Sequence, residues 1–359
     1  MLENKKKENF YNFTLSDLSD FLSQNLKAKP FVAKQAFSWV YKHKVLDPIL
    51  WQNVSLKTRE FIASNFTFET PEPIWSGKSK DGTAKFLLKL HDGESVETVI
   101  IASRERRTLC VSSQVGCAIG CTFCYTGTQG LTRHLLPFEI VGQYLFANKW
   151  LEENEGTHIT NIVFMGQGEP LHNYDNVEKA VTNFLEPHAF GLGQRRITLS
   201  TSGLVPKIKK LAQFPPVNIA ISLHAAHDDV RSELMPINKR YDLKLLFEAI
   251  KEIPIKAHRW ITYEYILISD FNDRQKDIDA LAELLHQKKA KINIIPFNEY
   301  PGSPYKRPSD EKIIDFQNAL VNKGFICTTR ASKGNDILAA CGQLKTQKEK
   351  VNLWEEPLA

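Results

Sequence analysis

Three closely spaced cysteines have the residue type and spacing that most clearly indicate chemistry in this chain. Cys117, Cys121 and Cys124 follow the pattern C-x3-C-x2-C, and thiolates this close in sequence can converge on zinc or on an iron–sulfur cluster. A structural zinc site needs four protein ligands. No His or Cys near the triplet supplies a fourth, since Cys110 lies seven residues upstream in a segment predicted to be a strand. The triplet therefore favours a 4Fe-4S cluster with one open iron, and the alternatives are a zinc knuckle or three unrelated core cysteines.

The sequence around the triplet fits a loop that closes tightly on a cluster. Gly116 and Gly120 can adopt the positive φ values that such a loop needs. An open iron can bind a small chelating molecule through an amine and a carboxylate, and S-adenosylmethionine (SAM) carries both groups. Because Phe123 immediately precedes the last cysteine, the spacing resembles the radical-SAM superfamily signature, which indicates a chemistry and not a substrate.

Apolar strands and amphipathic helices alternate along the rest of the chain and must position this loop. The strand candidates are Thr108–Ser112, Ile159–Met165, Arg196–Ser200, Asn218–Leu223, Tyr263–Ile268, Lys291–Pro296 and Phe325–Thr329. The helix candidates are Pro137–Leu151, Asn176–Leu185, Val205–Ala212, Leu243–Ile250, Asp277–His286 and Asp310–Asn322. Repeated β–α units predict an α/β fold with a parallel sheet, here a partial (β/α)6 barrel with its sites at the carboxyl ends of the strands.

Polar residues follow several of these predicted strands. The segment Gly166–Pro170 follows the second one, and its Glu169 can accept a hydrogen bond from an ammonium group. Ser200, His224 and Asn298 end or follow later strands. Each residue alone is typical of an ordinary turn, but together at a barrel mouth they suit the amine, carboxylate, ribose and adenine of SAM.

Helical periodicity dominates the first 68 residues or so. Thr14 and Ser55 are candidate N-caps for two of three amphipathic stretches. Residues 1–60 contain ten Lys/Arg and six Asp/Glu, a surplus of four positive charges, and Trp39, Tyr41 and Trp51 are interleaved with lysines. The segment is either a helical cap with ordinary packing aromatics or an RNA-binding appendage that contacts phosphates with Lys and stacks on bases.

A β-hairpin is predicted between this helical segment and the barrel. Pro71–Pro73 is typical of a linker, and strand-like residues Lys85–Leu90 and Ser95–Ile101 flank an Asp-Gly turn. Glu97 lies in the second of these strands, where a single Glu is usually solvated.

Composition limits the class of protein. The chain has 359 residues, 42% of them hydrophobic, which exceeds the ~250–300 residues of a single core and predicts one large and one smaller domain. A mean hydropathy of −0.30 and the lack of a long apolar run exclude a membrane span. Six cysteines without a secretory signal indicate a reducing cytoplasm, and a net charge of +5 permits a polyanionic partner. The predicted organisation is a helical RNA-binding domain at 1–70, a hairpin linker at 71–102, the barrel at 103–344 and a tail at 345–359.

The three remaining cysteines have no assigned chemistry from spacing alone. Cys327 lies in an apolar strand and is predicted to be a small buried hydrophobe. Burial is also the simplest interpretation of Cys110 and of Cys341 near the C-terminus.

Five separated motifs, in order, closely resemble the RlmN/Cfr group of radical-SAM methyltransferases, which act on an adenosine of 23S rRNA. They are Leu109–Cys117, Gly166–Pro170, Leu199–Gly203, Ile221–Ala225 and Ala339–Leu344. The RlmN type methylates C2 of the base, and in many bacteria also C2 of the adenosine beside the tRNA anticodon; the Cfr type methylates C8. The N-terminal helical segment favours C2, with C8 as the alternative within the group.

The resemblance implies a cofactor set and a site. The cluster ligands would be Cys117, Cys121 and Cys124. The SAM-binding positions would be Gly168, Glu169, Ser200, Ser222, Leu223, His224 and Asn298. Two SAM molecules would be used per turnover, one to methylate Cys341 and one to give a 5′-deoxyadenosyl radical that removes hydrogen from the new methyl group.

The resemblance also implies how the product leaves and which partners take part. Cys110 would resolve the adduct between Cys341 and RNA, leaving a transient Cys110–Cys341 disulfide, and Glu97 would be a proton acceptor. The partners would be 23S rRNA, tRNA and a low-potential electron donor such as flavodoxin, with a monomeric protein and no membrane association.

The sequence departs from the group's pattern at two places. One alternative interpretation also assigns the chain to another class of protein. Gln167 stands where Met is common, and Ala331–Lys333 replaces a more basic run. The rival from another class is a non-catalytic, metal-stabilised RNA-binding protein, which would leave Cys110, Cys341 and the Gly-Glu-Pro turn without a role.

Overall fold

Capping side chains set the starts of two N-terminal helices in the computed structural model, which describes residues 7–254, 259–286 and 288–346. The N-terminal elements are β1 (Glu8–Asn9), α1 (Leu15–Leu26), α2 (Pro30–Phe37), α3 (Leu56–Asn65) and β2 (Phe66–Thr67). Thr14 and Asp17 form a reciprocal capping box at α1, and the Ser55 hydroxyl accepts from the Thr58 amide at α3. The two predicted caps are confirmed.

The N-terminal aromatics are mostly core residues. Tyr41 and Trp51 are buried, and the Trp51 ring N–H donates to the Val45 carbonyl at 2.9 Å. Trp39 is half-buried and donates to Asn53 at 2.6 Å. The packing interpretation therefore holds for Tyr41 and Trp51, whose buried rings are not available for stacking on bases.

The predicted hairpin is confirmed and is part of a larger three-stranded extension. Its strands are β3 (Glu72–Lys78), β4 (Ala84–Lys89) and β5 (Ser95–Ser103), all antiparallel. Strand β3 begins inside the segment expected to be a linker. Proline is tolerated there because β3 is an edge strand, and the pairing shifts register between Pro73 and Trp75.

The extension continues directly into the barrel sheet. The later strands are β6 (Arg106–Cys110), β7 (Gln114–Gly116), β8 (Leu131–His134), β9 (Asn161–Phe164), β10 (Ile197–Thr201), β11 (Asn218–Ser222), β12 (Ile261–Leu267), β13 (Ala290–Pro296) and β14 (Ile326–Thr329). One ten-stranded sheet has the order β14-β13-β12-β11-β10-β9-β6-β5-β4-β3, and its strands from β6 to β14 are parallel. The linear order makes it an open part-barrel, which confirms the predicted fold class.

Helices connect the parallel strands as the periodicity predicts. They are α4 (Pro137–Glu155), α5 (Tyr174–Leu185), α6 (Val205–Ile208), α7 (Asp228–Leu234), α8 (Leu243–Lys251), α9 (Gln275–Leu285) and α10 (Asp310–Asn322). Helix α7 was not predicted, because its seven residues are too few to show an apolar stripe. No helix in the described ranges is long and apolar enough to cross a membrane.

The N-terminal domain shares a hydrophobic core with the barrel. The Asn12 side chain accepts from the Phe138 amide at the start of α4, and the Asn183 side chain on α5 donates to the Phe13 carbonyl. The Tyr41 ring packs edge-on against Phe190 with centroids 4.9 Å apart. These contacts fix the helical domain against one side of the barrel. Of the expected C-terminal tail, residues 347–359 lie outside the described residues.

Candidate active site

The three-cysteine loop lies between β7 and β8, which pair as a short antiparallel ribbon. Gly116 and Gly120 have φ values of 74° and 69°, as predicted. A Cβ on Gly116 would lie 1.9 Å from the Gly130 carbonyl oxygen, and that oxygen also accepts from the Cys117 amide at 2.7 Å. Glycine is therefore required at 116 both for its backbone conformation and for the close approach of the two ends of the loop.

Burial is the main effect on the thiols of this loop. It raises the pKa of Cys117 to about 12 and also raises the pKa of Cys124. The nearby amides of Ile119 and Gly120 oppose this rise at Cys117, and those of Gly127 and Thr126 oppose it at Cys124. Since nearby amides favour thiolates over thiols, this donor set fits a cluster held by three thiolates, and cluster binding must release their protons.

Aromatic residues support the outer side of the loop. The Tyr125 ring stacks on Tyr300 with centroids 4.7 Å apart and planes 16° apart. The Tyr300 hydroxyl donates to the Thr122 carbonyl at 3.0 Å, and Phe123 packs edge-on against His224. The loop is thereby attached to the mouth of the barrel after β11 and β13.

One open cavity at the carboxyl ends of the strands brings most of the predicted site together. Counting its open mouth, the cavity has a volume of about 850 Å³, within the range usual for cofactor sites. Among its lining residues are Cys117, Cys121, Cys124, Gly168, Glu169, Ser200, Ser222, His224 and Cys341. The cysteine triplet and five of the seven expected SAM-binding residues therefore share one space.

Glu169 is a buried carboxylate that backbone amides hold in place. Its two oxygens accept from the amides of Leu171 at 3.0 Å and Ser202 at 2.7 Å, while its own amide donates to the Gln114 side chain. Burial raises the pKa of Glu169, and the bond from Ser202 opposes that rise. A fixed carboxylate of this kind suits a ligand ammonium group.

The buried Asn298 amide oxygen, at this end of the barrel, has no hydrogen-bond partner in the described part of the chain. Since a buried polar atom is normally hydrogen-bonded, this oxygen is suited to a partner on a bound molecule. The three-cysteine loop, the Glu169 carboxylate and this oxygen together fit a 4Fe-4S cluster with SAM.

His224 is held neutral by its surroundings. Its Nδ1 accepts from the Ile266 amide at 3.0 Å, and its backbone has a φ of 61°. Burial, together with the nearby Arg231 charge, lowers the pKa of His224 to about 3. Because Nδ1 is an acceptor, the ring proton of the neutral side chain is on Nε2.

Two expected SAM-binding residues lie off the cavity wall. The Leu223 side chain is fully buried in the core, its amide donates to the Glu264 carbonyl and its own carbonyl accepts from Arg231. Asn298 instead lines a smaller adjoining cavity, where its side-chain amide donates to the Cys341 carbonyl at 3.1 Å.

Cys341 lies on the wall between these two cavities. It lines the large cavity with the cysteine triplet and also the small one with Cys110, Asn298 and Arg330. Both Cys110 and Cys341 are free thiols. The two cysteines, 231 positions apart in sequence, therefore share one small space.

Charge and burial act on the Cys110 thiol in opposite directions. Burial is the main effect that raises its pKa, to about 12, and Cys341 adds to it, while the Arg330 guanidinium opposes the rise. Arg330 also donates to the Met165 sulfur at 3.2 Å. Cys110 is therefore mostly protonated and a weak nucleophile until its environment changes.

Glu97 is buried instead of solvated. One carboxylate oxygen is 3.0 Å from the Lys85 ammonium, and the other accepts from the Lys345 amide at 2.9 Å. Burial raises the pKa of Glu97 and the Lys85 charge opposes it. The expectation that Glu97 is solvated was wrong, because the sequence does not show that the segment containing Lys345 covers β5.

Several residues at the site were missed by sequence reasoning. Glu264 lines the large cavity, is buried and accepts from Asn293 at 2.6 Å; an acidic residue in an otherwise apolar strand was the signal for it. Arg231 is also buried, and its guanidinium donates to the Leu223, Ser202 and Ser222 carbonyls, which joins the ends of β10 and β11. Nothing in the sequence marks Arg231, since one arginine in a short charged helix is usually exposed.

Gln167, a departure noted in the sequence, has a clear role in the structure. Its side-chain oxygen accepts from the Glu97 amide at 2.9 Å, and its side-chain nitrogen donates to Gln129 and Thr346. The residue therefore connects the extension, the cysteine loop and the end of the described chain.

Comparison with known proteins defines the class first. Residues 111–285 match the model of the radical SAM superfamily, and residues 8–67 match that of the ribosomal RNA large subunit methyltransferase N-terminal domain. The structure is similar to a radical SAM methyltransferase from Sphaerobacter thermophilus, with a TM-score of 0.86 and 40% identity, covering 94% of this chain and 99% of that one. The cofactors of this class are a 4Fe-4S cluster and SAM.

Curated relatives then define the family. The chain is 45% identical to the dual-specificity RNA methyltransferase RlmN of Bdellovibrio bacteriovorus, covering 95% of this chain and 85% of that protein. It is also 45% identical to the protein of the same name from Syntrophotalea carbinolica, covering 93% of this chain and 88% of that protein. The chain belongs to the RlmN family of radical-SAM methyltransferases, which confirms the resemblance in the sequence motifs.

Proposed function

We propose that this protein methylates C2 of an adenosine in 23S rRNA and of the adenosine beside the anticodon in tRNA. It is a radical-SAM RNA methyltransferase, and the proposed route passes through an S-methyl group on Cys341. The observation that carries this route is that Cys341 borders both the cysteine-triplet cavity and the cavity of Cys110. A carrier thiol in that position has a methyl source on one side and a second thiol on the other.

The cofactors would be held by residues on the large cavity. Cys117, Cys121 and Cys124 would bind the cluster, and Glu169 would accept hydrogen bonds from the amine of SAM. Gly168, Ser200, Ser222 and His224 would contact the rest of SAM, with Leu223 and Asn298 as further expected contacts. When bound, cluster and SAM supply one methyl group and, in a second cleavage, the oxidising power to remove a hydrogen atom from that group.

The protein's own residues would carry the carbon to the base and release it. C2 of adenine is electron-poor and has no acidic proton, so it is not a nucleophile, but a carbon radical on Cys341 can add to it. The resulting adduct radical would have to lose one electron, which the cluster oxidised in SAM cleavage could accept, and the C2 proton, which Glu97 would accept. The Cys110 thiolate would then attack the Cys341 sulfur, forming the S–S bond and breaking the S–C bond, and the freed carbon would take up a proton.

The proposed route requires particular partners. Reducing equivalents are needed twice, for the cluster and for the Cys110–Cys341 disulfide, which indicates a low-potential electron donor such as flavodoxin and a reducing cytoplasm. The relatives are named dual-specificity RNA methyltransferases, which supports two kinds of RNA substrate, and the match to the ribosomal RNA large subunit methyltransferase N-terminal domain supports rRNA as one of them. The N-terminal domain, with its surplus of positive charge, would contribute to RNA binding, and we propose that the protein acts as a monomer.

The test is an anaerobic reaction with cluster-reconstituted protein, SAM, a strong reductant and RNA transcripts. We expect 5′-deoxyadenosine and 2-methyladenosine, identified by nucleoside mass spectrometry in both an rRNA fragment and a tRNA. Finding 8-methyladenosine instead would contradict the proposed regiochemistry, and methylation of rRNA alone would contradict the tRNA assignment. A colourless zinc protein that cannot cleave SAM would overturn the proposed function.

A further inference from the structure

The segment that carries Cys341 has little regular structure of its own. We define the Cys341 segment as residues 334–346, of which only Asn335–Ile337 form a single 3-10 turn. Leu338 has a φ of 52°, a left-handed conformation that is uncommon for a residue other than glycine. Strained, irregular backbone persists only where its surroundings hold it, so contacts from outside must fix the position of Cys341.

One set of these contacts comes from the cysteine loop. The Gly342 carbonyl accepts from the Tyr125 amide at 2.7 Å, and the Leu344 carbonyl accepts from the Thr126 hydroxyl at 2.6 Å. These bonds attach the second half of the Cys341 segment to the loop that bears the cluster ligands. They leave the first half, before Cys341, to be held by another part of the molecule.

Residues that follow β13 also contact the segment, through the bonds from Asn298 to the Cys341 carbonyl and from Gln343 to the Glu299 carbonyl. A further set of contacts comes from the extension (β3–β5). The Lys85 ammonium on β4 donates to the Leu338 carbonyl at 3.2 Å, three residues before Cys341. It also pairs with Glu97 on β5, whose other oxygen accepts from the Lys345 amide, four residues after Cys341. A single buried ion pair thus contacts the Cys341 segment on both sides of the reactive thiol.

Burial of this pair indicates that it serves placement. The Lys85 and Glu97 side chains are only 8% and 9% exposed, and a buried ion pair generally adds little net stability over apolar residues of similar size. The geometry is well defined, because the ammonium also lies over the Trp75 ring, 5.5 Å from its centroid. The pair therefore combines a high desolvation cost with contacts to a segment that needs external support.

We propose that Lys85 is a positioning residue that fixes both the Glu97 carboxylate and the backbone on either side of Cys341. The assignment rests on the proposed function, since it gives Lys85 a role in presenting the methyl-carrying thiol. It also gives the antiparallel extension a function beyond connecting two domains.

The first test measures how accessible the Cys341 thiol is to a reagent, and it does not rely on turnover. Lys85→Met removes the donor but leaves a buried carboxylate, so we pair it with the double variant Lys85→Met/Glu97→Gln, in which the introduced amide oxygen can still accept from the Lys345 amide. Alkylation by iodoacetamide in the cluster-loaded, reduced protein is followed by peptide mass spectrometry. Loss of a charge-assisted bond to Leu338 should speed alkylation of Cys341 about tenfold or more in both variants.

Internal controls separate positioning from general stability. Cys327 is buried on β14, so its alkylation should not change. Lys89→Met alters an exposed lysine on the same strand and should behave as wild type, whereas Lys85→Arg should largely restore protection. Unchanged alkylation of Cys341 in the double variant would overturn the proposal, and so would a parallel rise at Cys327, because the pair would then stabilise the fold in general.

A second measurement connects the position to the reaction. In single-turnover methylation of Cys341, the rate at saturating SAM should fall in Lys85→Met while the KM for SAM stays constant, and Lys85→Arg should recover it. A changed KM with a constant rate would contradict positioning of the thiol. If wild-type protein forms no S-methyl group on Cys341, the proposed function fails, whereas the alkylation contrast still decides whether Lys85 holds the segment.

Discussion

Cys110 and Cys341 line one cavity, but the backbone holds them in opposite ways. Cys110 ends β6, between β5 and β9, with Val99 and Val163 as its neighbours in the sheet. Its carbonyl also accepts from the Thr98 hydroxyl at 2.9 Å. Cys341 lies in the irregular Cys341 segment, where positive φ angles occur at Gly334, Leu338 and Gly342 and side chains from other elements supply the support.

The difference matches the work that we propose for each thiol. A carrier thiol must meet a methyl donor, an adenine and a partner thiol in turn, and Cys341 borders both the cysteine-triplet cavity and the cavity of Cys110 from one position. A resolving thiol needs only one encounter and gains from a fixed position. The high pKa of buried Cys110 also keeps it from attacking before the adduct forms. Removing each of the two thiols should therefore stop the reaction at a different stage.

The largest effect is expected from Cys341→Ala. Removing the carrier thiol should lower RNA methylation by on the order of 10⁴-fold or more, because no other group can take its place. Cluster absorbance and SAM affinity should be retained, since three other cysteines and the strand-end residues form that part of the site. The measurement is methyl transfer to RNA, with Cys327→Ala on β14 as the matched control. Substantial methylation by Cys341→Ala would end the proposed role of Cys341.

Cys110→Ala should stop the reaction at a later stage. Cys341 should still become methylated and should still add to the base, but release should fail because the S–C bond needs an attacking thiolate. We expect up to one RNA per protein to become covalently attached, seen as a nuclease-sensitive shift on a denaturing gel. Normal multiple turnover by Cys110→Ala would remove the resolving thiol from the mechanism.

Glu169→Gln should damage the barrel side of the site and leave the two thiols in place. It removes the negative charge opposite the expected ammonium group and puts an amide N–H₂ group where a backbone amide now donates. SAM binding, measured anaerobically by calorimetry, should weaken about ten- to hundredfold. Alkylation of Cys341 should be unchanged, and Glu153→Gln, on the exposed face of α4, should alter neither quantity. An unchanged SAM affinity would show that Glu169 is not an ammonium site.

The surroundings of Cys110 and those of Cys341 also differ in how well the sequence predicts them. The strand that ends at Cys110 and the helices between strands follow from apolar periodicity, and glycine chemistry predicts the conformations of Gly116 and Gly120. Sequence does not show that Lys85 contacts Leu338 or that Glu97 contacts Lys345, because these contacts join positions about 250 residues apart. Arg231 was missed for another reason, since most of its partners are backbone carbonyls, which every residue carries. Local patterns of apolar residues and glycines predict helices, strands and turns. Which polar side chains are buried depends on tertiary contacts, which those patterns do not show.

The smallest predicted effect lies at the start of the Cys341 segment. The Asp81 carboxylate, in the β3–β4 turn, accepts from the Gly334 amide at 2.9 Å and from Thr83. Asp81→Asn should speed hydrogen exchange of the Gly334 amide roughly two- to tenfold, the value of one ordinary hydrogen bond. Exchange within β6 should not change. Asp279→Asn, which removes a carboxylate from a distant pair with Lys323, is the charge-matched control.

Low pH should abolish the difference in hydrogen exchange of the Gly334 amide between wild type and Asp81→Asn. Burial would raise the pKa of Asp81, but hydrogen bonds from Thr83 and Gly334 outweigh it and hold the pKa below its ordinary value of 3.8. A lowered folded pKa means that the stabilising contact is complete above 3.8 and is lost as the pH falls through the lowered value. Exchange at Gly334, corrected for its intrinsic pH dependence, should then converge in the two proteins. A difference that persists at the lowest pH at which the protein stays folded, or that is absent at neutral pH, would mean that the Asp81 charge does not hold this segment.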